Sequence, residues 1–256
     1  MMTTTGEDAD WVLTAEAAAA LRARGDFFAA GVLAATGSMP LRHARGIAEV
    51  LAHCPLRPYD GGMLYPSGGV IWTETEPPTI RHFYVQVEHD ATMAAERAAA
   101  ATSAVERAAY EKVRAYCEAQ PASGGYTHSI IHFGRALAEG LDGYDARIQA
   151  RLAATDDPEQ RALYQALRRV IKAIDGYRLR VASYLESLSF DDPAQEGNRR
   201  RLAAAYRDRL PMRPARGFFE AVLSTLFLYA IDGSDDLGRV DQFLWTWYRN
   251  AVAAGE

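Results

Sequence analysis

Cysteine is nearly absent: only Cys54 and Cys117 occur in 256 residues. So sparse a pair builds no disulfide framework, and a reduced, cytoplasmic chain is expected. Long apolar runs are absent as well. The longest, around residues 218–231, is broken by Glu220 and by hydroxyl side chains, well short of the roughly 20 residues that a membrane span needs. The start, MMTTTGEDADW, has neither the basic residues nor the apolar stretch of a secretory signal. Positive charge is not in excess: the net charge is −5 and the pI about 5.7, which argues against nucleic acid or an anionic membrane as partner. The one basic run, Arg199-Arg200-Arg201, lies in a helical stretch with Arg207 and Arg209 and reads as a solvated helix face, with RNA binding a remote alternative.

Apolar residues are not in short supply. At 49% hydrophobic and 24% charged, the composition is that of a globular protein with a sizeable core. Most of the chain reads as helix. An alanine-rich stretch runs from Thr14, a plausible N-cap, to about Ala35. Leu41, Ala44, Ile47, Ala48 and Leu51 repeat at helical spacing up to Pro55, which stops the helix. Helices are expected again from Ala91 to about Ala119 and from about Ser129 to Ala154. The TDDPEQ signal opens a long one that reaches about Leu188, and two more cover about 196–209 and 215–230. Between Pro55 and Asp90, Gly and Pro crowd in, and GGVIWTET and RHFYVQVEH carry the branched and aromatic residues that favour strands. The expected class is therefore mainly α with a few short strands, and no linker clearly divides the chain.

Candidate sites are few. His128 and His132 stand four apart, the spacing of a two-histidine metal site if both were helical. The zinc-protease pattern, however, wants Glu after the first His, where Ser129 stands, and no third ligand can be named, so no metal is expected. DGSDDLG at 232–238 lacks the alternating oxygens of a calcium loop, and PSGGV at 66–70 reads as a turn. Cys54 and Cys117 read as small buried hydrophobes. SDDLGRVDQFLWTWYRN, residues 234–250, raises a different question. Phe243, Trp245, Trp247 and Tyr248 form the densest aromatic cluster of the chain, behind a polar turn and close to the last residue. Four such rings bury about 150–250 Å² each when packed. They must fold back onto the domain or await protein from elsewhere.

Three segments resemble, in order and spacing, those of the pyruvate formate-lyase-like glycyl radical enzymes. THSIIHFGRALAEGLDG, residues 127–143, is similar to the family's Gly-His turn and Leu-x-x-Gly-Leu-x-Gly helix; His128, Phe133, Leu137, Gly140, Leu141 and Gly143 match, Thr127 replaces a glycine and His132 an aspartate. Residues 176–222 resemble the family's arginine-bearing helix, the helix after it, and the proline turn before FxEA, here Phe219–Ala221 with Phe218 ahead of it. GRVDQFLWTWY matches GRxDQ through Gly238, Arg239, Asp241 and Gln242, with Thr246 in a proline's place. LRHARGIAEVLAHCPL, residues 41–56, is similar to a helix near the family's N-terminus.

The resemblance implies a single partial pyruvate formate-lyase-like domain, 1–256: a variable helical extension over 1–40, then the family-like region 41–256. The implied fold is the incomplete N-terminal part of a ten-stranded β/α barrel. The implied activity of the intact enzyme is radical cleavage of a C–C, C–O or C–N bond in a small polar substrate. His128 and Ser234 are its candidate substrate-binding residues, and Gly238, Arg239, Asp241 and Gln242 its structural motif. Intact members carry a cysteine loop and a glycyl loop, the glycyl radical being installed by a radical-SAM activating enzyme. Neither loop is recognisable here, so no residue of this chain is assigned a catalytic role, no cofactor is expected in it, and by itself it is expected to be inactive. Its partners would be a C-terminal half or second subunit and the activating enzyme. The alternative is a non-catalytic helical scaffold or interaction subunit that binds a partner through its aromatic C-terminal face.

Overall fold

The computed structural model describes residues 11–34, 36–66, 87–119, 130–232 and 237–255. All regular structure among them is helical: α1 (Ala15–Ala23), α2 (Phe27–Val32), α3 (Met39–His53), α4 (Val87–Ala99), α5 (Ala104–Ala119), α6 (Phe133–Ala153), α7 (Pro158–Glu186), α8 (Pro193–Asp208), α9 (Phe218–Asp232) and α10 (Val240–Ala254). The expected short strands find no counterpart among the described residues. Of the strand-favouring segments, GGVIWTET and residues 81–86 lie outside them, and Val87–His89 form the first turn of α4. Strand propensity is a weak local preference that tertiary context overrides.

The chain forms two compact units. One comprises Met1–Cys54, Glu76–Thr127 and Arg151–Ala173; the other Pro55–Thr75, His128–Ala150 and Ile174–Glu256.

In the first unit, Thr14 caps α1 as its sequence position suggests, its hydroxyl accepting from the Ala17 amide at 3.1 Å. The helix expected to continue to Ala35 breaks instead at Gly25, whose φ of 82° belongs to the left-handed region that glycine tolerates. The break sets the fully buried Asp26 at the head of α2. There its carboxylate accepts the Tyr110 hydroxyl at 2.5 Å and pairs with Arg97 at 3.0 Å. Helices α2 and α3 approach closely enough that a Cβ on Gly31 would lie 2.7 Å from the Arg45 carbonyl oxygen. Leu21, Phe28, Leu51, Tyr110 and Val113 fill the core; at roughly 25 cal/mol per Å² of apolar surface, side chains of this size contribute about 1.5–3 kcal/mol each.

The helix expected over 91–119 is two helices. Residues 100–103 separate α4 from α5, and the cause is capping. The Ser103 hydroxyl accepts the Glu106 amide at 3.1 Å, and the Glu106 carboxylate accepts both the amide and the hydroxyl of Thr102 at 3.0 Å. Ser103-x-x-Glu106 is the pattern of a capping box. Arg24 also reaches Glu106, at 2.6 Å. The Arg24 hydrogen bond first, and then that of the Thr102 amide, hold the Glu106 carboxyl down at about 2. Because the folded pKa lies below the unfolded one, this carboxylate stabilises the fold at pH above about 4.5 and ceases to as pH falls toward about 2. Glu106→Gln is expected to unfold at lower urea concentration than the parent at pH 7, with the gap closing between pH 4.5 and 2. A gap that stays constant over that window would refute the assignment.

In the second unit, α8 is capped by Asp192, whose carboxylate accepts the Ala194 and Gln195 amides at 2.9 Å, with Pro193 as the first helical residue. The described part of the Gly/Pro-rich section, residues 55–66, is irregular backbone pinned to helices. The Tyr59 amide donates to the Tyr184 hydroxyl at 3.0 Å and Asn198 to the Gly61 carbonyl at 3.0 Å, while the Tyr206 hydroxyl donates to the Tyr65 carbonyl. Tyr65, Phe133, Leu137, Leu185, Tyr206 and Phe227 are the core of this unit. No helix among the described residues is long and apolar enough to cross a membrane.

Candidate functional site: a junction of three segments

The three segments singled out in the sequence meet in the second unit. Helix α6 carries the first. It kinks at Gly140, whose φ of 66° no other residue adopts cheaply. The kink frees two amides, and the proline turn of the second segment accepts them: Leu141 donates to the Pro211 carbonyl at 3.1 Å and Asp142 to that of Met212 at 2.8 Å. One turn earlier, the Leu137 carbonyl accepts the Ala215 amide at 3.0 Å. The approach is so close that a Cβ on Gly140 would fall 2.3 Å from the Met212 oxygen. The third segment joins through the buried Phe133, whose ring stacks on Phe243 at 5.2 Å. Leu137, Ala215 and Ala221 form a small core against which Phe243, Leu244 and Trp247 pack.

Helix α10 is thereby split lengthwise. Phe243, Leu244 and Trp247 face the unit, and Ala251 is buried. Trp245, Tyr248 and Val252, at i, i+3 and i+7, stay 54%, 47% and 56% exposed along one stripe. Trp245 and Tyr248 lie ring against ring at 6.0 Å, and Phe218 of α9 meets Tyr248 edge-on at 5.6 Å. The aromatic cluster thus folds back in part, and among the described residues its other half stays exposed.

Ahead of the stripe, Gly238 takes a left-handed turn with φ 65°. Arg239 then reaches over Asp241 with two hydrogen bonds, 3.1 and 3.0 Å, both side chains well exposed. That hydrogen bond lowers the Asp241 pKa, and it raises that of Arg239. Exposure makes the pair worth little to stability; its effect is geometric, setting the entry to α10. The Gln242 and Phe243 amides return to the Arg239 carbonyl. Glu220, in the FxEA of the second segment, is buried and holds the other entry. It accepts the Arg216 amide at 2.9 Å and the Arg216 guanidinium at 2.5 and 2.9 Å. Burial alone would raise its pKa, but the Arg216 hydrogen bonds outweigh burial and hold it below the ordinary value. Sequence reasoning missed Glu220 as a node; Glu four residues after Arg216, inside the matched motif, was the available signal.

His128 and Ser234 lie outside the described residues, as do most of DGSDDLG and PSGGV. His132 precedes α6 rather than lying within it, and its Nδ1 accepts the Arg135 amide at 3.3 Å, the position of a helix cap. Helical spacing therefore does not bring it onto a face with His128. No group of three or more His, Cys, Asp or Glu able to hold a metal occurs among the described residues. Cys54 and Cys117 are both buried, and burial pushes the Cys117 thiol up to about 12, the opposite of an activated nucleophile. What the junction does is mechanical: it fixes the first turns of α6, the proline turn and the first two turns of α10 against one another.

A sequence model of the pyruvate formate lyase-like family matches residues 58–256. A search of curated proteins returned no match. Among solved structures, an enzyme of 1,2-propanediol dehydration in Roseburia inulinivorans superposes with a TM-score of 0.68 at 16% identity, over 99% of this chain and 37% of its own. The B12-independent glycerol dehydratase from Clostridium butyricum, in its glycerol-bound form, gives 0.66 at 16% identity, over 93% of this chain and 37% of its own. A glycyl radical enzyme from Archaeoglobus fulgidus gives 0.68 at 16% identity, over 95% and 36%. The chain thus spans little more than a third of the length of the structures it resembles.

Proposed function

This chain belongs to the pyruvate formate lyase-like family, and on that premise we propose that it is the helical portion of a glycyl radical enzyme that breaks a C–C, C–O or C–N bond in a small polar substrate. The observation that carries this reading is the convergence of the three matched segments, through the Gly140 kink, the 211–215 turn and the Phe133–Phe243 stack, in one unit. The likeness to a propanediol-dehydrating enzyme and a glycerol dehydratase favours C–O cleavage of a small polyol. Such chemistry needs a glycyl radical, supplied in this reading with a cysteine loop by further protein and installed by an activating enzyme. The work takes place in the cytoplasm.

The roles of this chain's own residues follow from position and from the family resemblance. Arg239 and Asp241 set the entry to α10; His128 and Ser234 are assigned to substrate binding on the family resemblance, each through one hydrogen bond to a polar group of the substrate. A water-poor barrel interior protects the radical from side reactions. The stripe Trp245, Tyr248 and Val252 is the seam covered by the rest of the family fold, because the solved neighbours hold nearly twice as much further chain as they share with this one.

Co-expression tests this. The gene segment downstream is produced with this chain and with the activating enzyme under anaerobic conditions. A stable complex and a glycyl radical signal by electron paramagnetic resonance are expected, and Trp245→Ala with Tyr248→Ala should weaken association at least tenfold, as large aromatic anchors do when truncated. An unrelated gene downstream, together with a monomeric chain indifferent to these two substitutions, would overturn the reading. The exposed stripe also suits the second reading, a non-catalytic scaffold bound to a partner; an associating chain whose partner carries neither loop would select it.

A further inference from the structure

Beside the junction, and sharing Arg216, Phe218 and Glu220 with it, the second unit has a cleft of about 430 Å³ between α8 and the first turn of α9. We propose that this cleft binds an oxyanion, the phosphate or carboxylate group of a small ligand, with Arg201 as its principal contact.

The charges lining it are Arg201, Arg209 and Arg216 against Asp208 and Glu220, an excess of one cation (three against two). The three arginines are not equivalent. Arg216 is committed to Glu220 by three hydrogen bonds. Arg209 lies 3.5 Å from Glu220 and donates one Nη to the Pro214 carbonyl at 2.5 Å, while its Nε is buried without a hydrogen-bond partner among the described residues. Arg201 is different again. Its guanidinium lies over the Phe219 ring at 3.6 Å, and no carboxylate or carbonyl among the described residues pairs with it. Neighbouring Arg199 and Arg200 both bond Glu196, so the one arginine of the run without an acid is the one that lines the cleft.

Stacking fixes the plane of a guanidinium without using any of its five N–H donors. A ring-held, unpaired arginine is thus a fork already oriented for a planar or tetrahedral oxyanion, which takes two parallel hydrogen bonds from it. Ala204, Ala205 and Gly217 keep the wall low, leaving room for a group larger than water. Asp208 limits the positive charge, which selects against large polyanions and for one or two charges.

The probes are inorganic phosphate and succinate, titrated into the full chain by isothermal calorimetry at constant ionic strength, with chloride as the control. Saturable binding of at least one oxyanion is expected, absent with chloride. Arg201→Gln should weaken it about tenfold or more, the scale of a charge-assisted bidentate contact. Arg201→Lys keeps the charge but loses the fork and should weaken it less. Asp208→Asn removes the opposing charge from the rim and should tighten it two- to threefold, on the order of a partly screened Coulomb interaction. Both positions are exposed, so folding is not at risk. Phosphate binding alone assigns a phosphorylated ligand; succinate binding assigns a carboxylate. No saturable binding, or binding that Arg201→Gln leaves unchanged, would overturn the proposal.

Discussion

Gly140→Ala should lower the thermal midpoint of this protein by roughly 10 °C. A side chain at φ 66°, ψ 171°, a region essentially reserved for glycine, costs about 1–3 kcal/mol by itself. The new Cβ would sit 2.3 Å from the Met212 carbonyl oxygen and 2.6 Å from the Arg213 carbonyl carbon, both backbone atoms that cannot rotate away. The turn must retreat, which adds about 1–3 kcal/mol of overpacking and strains the Leu141 and Asp142 hydrogen bonds to residues 211 and 212, about 1 kcal/mol each. The contributions sum to about 4–8 kcal/mol, whose lower end corresponds to that shift at about 2–4 °C per kcal/mol. Gly134→Ala is the control on the same helix. Its Cβ would meet Phe243 at an ordinary 3.6 Å, so it should be neutral or stabilise by up to about 1 kcal/mol. Circular dichroism melts of the two variants decide the matter; equal midpoints would mean that the kink is dispensable. In the proposed enzyme the same variant should also displace the start of α10, since Phe133 of this helix stacks on Phe243 of α10.

Asp26→Ala should cost about as much in the other unit. Asp26 is wholly buried, and removing it leaves the Arg97 guanidinium, itself only 17% exposed, without this counter-charge. Deleting one member of a buried ion pair typically costs about 3–5 kcal/mol. Burial first, and then the Asp26 charge, keep the Tyr110 phenol well above its ordinary pKa and hence a hydrogen-bond donor at any physiological pH. Tyr110→Phe should therefore cost less than Asp26→Ala, about 1–3 kcal/mol for the carboxylate's lost donor. Urea midpoints at pH 7 give both values. If Asp26→Ala lost under 1 kcal/mol, the pair would be a bystander, and the Gly25 break would have no electrostatic purpose.

These two sites differ in how much of them can be read along the chain. Gly140 sits in the Leu-x-x-Gly-Leu-x-Gly match, so its importance was legible, though not its partner, because Met212 reaches it only through the fold. The break at Gly25–Asp26 was hidden by the alanines on both sides, whose helix propensity is strong. The break at 100–103 was written in Ser103-x-x-Glu106 and could have been read there. The strands expected near residues 81–89 rested on propensity alone, and α4 begins within that stretch.

Helix content, the cap at Thr14, the ends at Pro55 and Asp157–Pro158, the buried thiols and the family were determined by sequence alone, because periodicity, capping and motif spacing act over a few residues or survive as fixed strings. Which motifs touch, which face of α10 is covered, and that Arg201 of α8 lies over the Phe219 ring of α9 were decided only in the tertiary structure. Those depend on distances between segments far apart in the chain, and such distances are set by packing, which no local pattern encodes.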